Sequence, residues 1–193
     1  MNKTTEQPSL ICGIDASTNT MAFAFYRNKI LTQYGKLNFK GDNIYEKVID
    51  ANLKVKSFFE HYNLTESVVI EHTVFMNSPK TAADLALVQG AIIGGVGLAG
   101  IKIIGRVSPI TWQSFLGNKK LNKEEQIKIR SENPNKSPSW YKAYERDFRK
   151  RRTIKLLEII YDKEIHDYDV ADAAGIGHWA VNNWDKAIGF DKD

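Results

Sequence analysis

The chain has 193 residues, 42% of them hydrophobic and 11% aromatic, with one cysteine and a formal net charge of +4. That length fits a single domain, residues 1–193, with a substantial core, and the aromatic content excludes a disordered chain. A lone cysteine excludes an internal disulfide, the apolar run 85–104 is broken by Gln89, Lys102 and glycines and so excludes a membrane span, and residues 1–9 are polar and lack the apolar core of a signal peptide. These features together point to a reducing cytoplasm.

Charge is distributed unevenly. Residues 117–155 carry thirteen Lys and Arg against five Asp and Glu, a net +8, which leaves −4 on the rest. A basic block beside acidic sites suggests a polyanionic substrate, nucleic acid first.

In chain order, residues 10–15 (LICGID) form an apolar strand closed by Asp15. Residues 17–19 turn, residues 21–26 (MAFAFY) form a second strand, and Asn28-Lys29 turns the chain into a third over 30–34. Ile44, Val48, Val55, Phe59 and Tyr62 follow helical spacing, with Asp42 or Asn43 as cap. Residues 67–71 (SVVIE) form a buried strand closed by Glu71, followed by a loop over 72–79 that holds Phe75 and Met76.

Residues 81–99 form a helix of small residues. Its glycines cost about 1 kcal/mol each relative to alanine, so close packing must offset them. A strand follows over 101–107 and a short helix over 110–116, opened by Pro109. Asparagine, serine and proline then mark 118–139 as a basic, loop-rich insertion. Trp140, Tyr144, Phe148, Leu156 and Ile160 carry a helix to Tyr161, and a last helix opens near Asp169. The order is that of an α/β domain with a mixed central sheet, three antiparallel strands followed by parallel ones, flanked by helices on both faces.

Asp169 and Asp172 are three residues apart at the start of that last helix and share a face. Read alone, they are acids that favour a helix N-terminus. Read with Asp15 and Glu71, each an acid closing an apolar strand and costly if buried unpaired, they suggest a shared site for a hard divalent metal. Asp167 precedes the pair off its face and suits a cap. His72 points away from Glu71 along the strand. Trp112, Trp140, Trp179 and Trp184 are expected in the core. Arg149, Lys150, Arg151 and Arg152 make either a solvated helix face or a phosphate-contacting run.

Three segments resemble the RuvC family of Holliday junction resolvases. GIDAST (13–18) is similar to the family's first-strand motif, with Ala16-Ser17 where Pro-Gly is usual. IEHTVFMNSPKTAADLALVQGAI (70–92) resembles its acid followed by Val-Phe-Met, a basic loop and a helix with Leu, Gln and Gly. DVADAAGIGHWA (169–180) resembles its final acidic helix. The departures suggest a divergent branch of phage or poxvirus type, acting in a bacterial host cytoplasm if phage-encoded.

The resemblance implies the RNase H-like fold and structure-selective cutting of four-way DNA junctions. Paired symmetric nicks would leave 5′-phosphate and 3′-hydroxyl ends. It implies two Mg²⁺ ions per site, with Mn²⁺ able to substitute, held by Asp15, Glu71, Asp169 and Asp172, and it places Phe75, Met76 and Lys80 against branched DNA. The family's lysine after the fifth strand falls near Gln113 here, so its role passes to Lys119, Lys120 or the 149–152 cluster.

A homodimer through the helix 81–99 is implied as well, by way of Ala82, Ala83, Ala86, Gly90, Gly94 and Gly97; otherwise these small residues pack on the chain's own sheet. Phe75 either stacks on bases or packs on that helix. Two other readings stay open: a branched-DNA binder that does not cut, and a small-molecule phosphotransferase of the actin-like class.

Overall fold

The computed structural model describes residues 6–63, 65–72 and 78–189. A five-stranded sheet, in order β3-β2-β1-β4-β5, forms the centre. β1 (Leu10–Ala16), β2 (Thr20–Arg27) and β3 (Ile30–Asn38) make an antiparallel meander. Asn28 and Lys29 join β2 to β3 with φ of 49° and 69°, the paired left-handed conformation that lets a two-residue turn follow the strand twist. β4 (Ser67–Glu71) then lies parallel to β1, and β5 (Ile103–Val107) parallel to β4.

Strand periodicity divides the core in two. Leu10, Cys12, Ile14, Met21, Phe23, Phe25, Val68 and Ile70 point to one face. That face packs on α1 (Ile44–His61), capped by Asn43, and on α2 (Pro79–Leu98), capped by Ser78. Such caps contribute about 1 kcal/mol each. Ile11, Ala22, Ala24, Tyr26 and Val69 point to the other face. They meet α6 (Tyr168–Asn182), whose buried side is mainly Ala171, Ala173, Ala174, Gly175, Gly177 and Ala180. α3 (Pro109–Phe115), α5 (Pro138–Tyr161) and α7 (Trp184–Ile188) surround α6 and β5 on that side.

Small residues let α6 lie very close to the sheet. A Cβ on Gly13 would collide with the backbone of Ala173 and Gly177, and one on Gly175 would reach within 2.5 Å of the Trp112 ring. The glycine of the first-strand motif is therefore the point at which β1 touches the acidic helix.

Three expectations change. Residues 118–139 are not mainly loop: α4 (Lys123–Glu132) lies within them, opened by a capping box between Asn122 and Glu125. Trp140 is not a core residue. It stacks on Tyr144 with ring centres 5.0 Å apart, outside the packed clusters that hold Trp112, Trp179 and Trp184. The short α7 is an addition, too brief for hydrophobic spacing to mark it.

The small residues of α2 have divided roles. Gly95 packs on α1, where a Cβ would come within 2.8 Å of the Asn52 carbonyl, whereas Gly90 and Gly97 have nothing within 4 Å. Leu87, Ile93 and Leu98 are exposed on α2, and Tyr45, Ile49 and Leu53 are exposed along one line of α1. α2 is the one helix among the described residues long and apolar enough to cross a membrane; its other face is buried against α1 and the sheet.

Candidate metal centre and basic groove

Two adjacent parallel strands bring the first two acids together. Ile14 of β1 is in register with Ile70 of β4, and Asp15 and Glu71 each follow by one residue. Strand alternation turns both toward the α6 face, because Ile11 and Val69 point that way while Ile14 and Ile70 do not. α6 supplies Asp169 in its first turn and Asp172 one turn on. Asp167 is the N-cap, its side chain accepting from the amides of Asp169 and Val170.

The acids sense one another. Burial, then the charges of Asp172, Glu71 and Asp169, raise the Asp15 carboxyl well above the ordinary range, and Lys150 opposes the shift. Burial pushes Asp172 up to about 7, with Lys150 and Arg149 opposing and Glu71 and Asp169 adding to it. Glu71 is raised by burial and held down by Trp112 and Lys150. Among the described residues, no group of three or more His, Cys, Asp or Glu side chains is drawn together closely enough to hold a metal ion. The donor set is nonetheless wholly carboxylate, which suits a hard cation.

Residues outside the acid set organise it. Trp112, buried in α3, donates from Nε1 to Glu71 Oε2 at 2.6 Å, and Gln89 of α2 donates to the Glu71 carbonyl at 3.0 Å. Lys36 of β3 places Nζ 2.8 Å from Oδ2 of both Asp167 and Asp169. Lys150 lies 3.7 Å from Asp169 Oδ1, its Nζ 5.3 Å from the centre of the Tyr168 ring. The Tyr168 hydroxyl in turn donates to Asp147 at 2.9 Å, and Asp147 pairs with Arg151.

The cation run 149–152 does not face one partner. Successive helical residues turn by about 100°, and the four side chains diverge accordingly. Arg149 donates to Gln113 and to the Asn118 carbonyl. Lys150 reaches the acids, Arg151 pairs with Asp147 at 2.7 Å, and Arg152 ties α5 to Glu125 of α4 at 2.5 Å. Lys119 and Lys120 are exposed after α3. Lys80 is exposed in the first turn of α2 and pairs with Asp84 at 2.8 Å. Phe75 and Met76 lie outside the described residues.

Sequence reasoning did not single out Lys36, and it treated Trp112 as core alone. A buried indole needs an acceptor for its N–H, which was a usable signal; nothing local marked Lys36.

The fold is that of RuvC, the RNase H-like fold. The chain is similar to Thermus thermophilus RuvC in a structure described as a complex with a Holliday junction substrate, with a TM-score of 0.64 at 13% identity over 90% of this chain and 96% of that one. It is similar to a second T. thermophilus RuvC structure, with a TM-score of 0.63 at 14% identity over 92% and 97%. Ydc2, described as the yeast mitochondrial Holliday junction resolvase, gives a TM-score of 0.54 at 12% identity over 92% and 80%. No family model and no curated protein matches the sequence.

Proposed function

We propose that this protein is a metal-dependent endonuclease that resolves four-way DNA junctions. The observation that carries the reading is that Asp15 of β1 lies within electrostatic reach of Glu71 of β4 and of Asp169 and Asp172 of α6, beside a groove lined by Lys142, Arg146, Arg149 and Lys150. The fold shared with the junction-bound RuvC supports it.

Asp15, Glu71, Asp169 and Asp172 are the residues that would hold Mg²⁺, with Mn²⁺ able to substitute. Bound there, the metal supplies an activated water and stabilisation of the leaving oxygen. The protein's own residues prepare that chemistry. Trp112 commits one oxygen of Glu71 and fixes the orientation of the other. Lys36 holds Asp169 at the mouth of the site through the same ammonium that anchors the α6 cap. Lys150 offsets part of the acid charge and is close enough to turn toward a phosphate. Raised proton affinity at Asp15 and Asp172 makes protons competitors for the same oxygens.

Cutting both strands of like polarity requires two centres related by a two-fold axis, so a homodimer is part of the proposal. The exposed stripe of Leu87, Gly90, Ile93 and Gly97 on α2 is where a second copy would dock. The products would be 5′-phosphate and 3′-hydroxyl ends, and the protein would act in a cytoplasm.

One observation favours a second reading, a branched-DNA binder that does not cut. Asp169 is shared by two lysines, and the acids are not closed around one point. An end-labelled four-way junction incubated with and without Mg²⁺ separates the two. Symmetric paired nicks that need the metal support the nuclease; tight binding without cutting in both Mg²⁺ and Mn²⁺ supports the binder.

A further inference from the structure

The basic block sorts by whether each cation has a partner. Lys128, Lys150, Arg151 and Arg152 all pair with carboxylates. Among the described residues, Lys120, Lys142 and Arg146 have no carboxylate within 4.0 Å. These three line one groove of about 410 Å³ between the 118–126 segment and α5, together with Arg149 and Lys150 and with two acids, Glu145 and Asp172. Lys142, Arg146, Arg149 and Lys150 recur at three- and four-residue spacing and so share a face of α5.

Two polar atoms of groove-lining residues are buried without a partner among the described residues. Asn118, 2% exposed, uses its amide on the Arg149 carbonyl and on Thr153, while its Oδ1 has no donor. Arg149 spends one Nη on Gln113 and the Asn118 carbonyl, while its Nε–H has no acceptor. Only the second points to an anion: a guanidinium N–H in a cationic groove suits an anionic oxygen, whereas the Asn118 oxygen calls for a donor.

We propose that this groove holds the sugar–phosphate backbone of the strand being cut, on one side of the scissile phosphate, and that Lys142 and Arg146 are its principal phosphate contacts. The proposal rests on the nuclease reading of the acid site. From Lys142 to Lys150 the helix rises on the order of 12 Å, enough for more than one backbone phosphate. Among the described residues no aromatic ring lines the groove, so bases have nothing to stack on there and its cations are left for the backbone phosphates.

The test is binding of a labelled four-way junction by the full chain in EDTA, across a salt series, for wild type, Lys142→Ala/Arg146→Ala and Arg146→Glu. Both positions are exposed, so circular dichroism should show an unchanged fold. The double variant is expected to bind about tenfold or more weakly. Its log–log salt slope should fall by about 0.9 for each phosphate that is no longer neutralised, by the same amount on junctions of different sequence. Arg146→Glu should weaken binding further than removing Arg146's charge alone. Lys128→Ala, a cation paired on α4, should change neither quantity. If wild type binds the junction and the double variant matches it in affinity and slope, the groove is not a backbone site and the nuclease reading stands. If wild type binds neither junction nor duplex, both fail.

Discussion

The indole of Trp112 donates a 2.6 Å hydrogen bond to Oε2 of Glu71, 41 residues away in sequence. It stabilises the ionised form of a carboxylate that burial works to neutralise. Trp112→Phe preserves most of the packing against α6 and removes the donor. The variant should lose about 1 kcal/mol of stability. Its Glu71 pKa should rise, so the acidic limb of the cleavage–pH profile should move to higher pH. Single-turnover cutting across a pH series checks this, and an unmoved limb would show that the indole does not tune Glu71.

The metal-free protein should become less stable as pH rises. Asp172 titrates at about 7 in the fold against 3.8 for an ordinary aspartate, and Asp15 is raised in the same sense. The folded state therefore binds protons more tightly than the unfolded chain. The stabilisation is fully present below about pH 4 and is lost as pH climbs toward 7. Melting temperature measured in EDTA should fall between about pH 5 and about pH 8. Asp172→Asn should flatten that fall, and Mg²⁺ should restore stability at the alkaline end.

Single replacements Asp15→Asn, Glu71→Gln, Asp169→Asn and Asp172→Asn should each abolish cleavage while junction binding survives or tightens. Removing a carboxylate charge lowers repulsion toward phosphate and leaves every cation of the basic groove in place. A gel-shift assay and a cleavage assay run side by side provide the check, and parallel loss of binding in all four would count against a shared metal centre.

Gly90→Leu is the sharpest probe of dimerisation. A side chain at Gly90 meets nothing within 4 Å in the monomer, and leaving glycine in a helix interior favours folding by up to about 1 kcal/mol. The variant should fold, sediment as a monomer and nick one strand only. A wild type that sediments as a monomer and still makes paired nicks in one binding event would exclude the dimer.

The arrangement of strands and helices was legible from local pattern. Short apolar runs in 10–15 and 67–71 mark strands, the Asn28-Lys29 pair marks a hairpin, and the spacing of Ile44, Val48, Val55 and Phe59 marks α1. The helix inside 118–139 left one local sign. Asn122 and Glu125 spell a capping box, but asparagines and prolines nearby obscured it.

The candidate site was legible only as separate acids. That Asp15 and Glu71 are acids closing apolar strands is a property of each short segment. That they are neighbours depends on β4 pairing with β1 in parallel, a contact the chain makes only after it has laid down β2, β3 and α1. Lys36 reaches Asp169 across 133 positions, and Trp112 reaches Glu71 from another layer of the fold. The run 149–152 shows the same limit in reverse: four adjacent cations look like one surface in sequence, and the helix sends them to different partners. Sequence by itself determined which residues carry charge and, apart from α4 and α7, which segments are strand or helix, because period and capping are local. Only the tertiary structure decided which charges meet, because close approach of α6 to β1 through Gly13 and Gly177, and the pairing of distant strands, set every distance in the site.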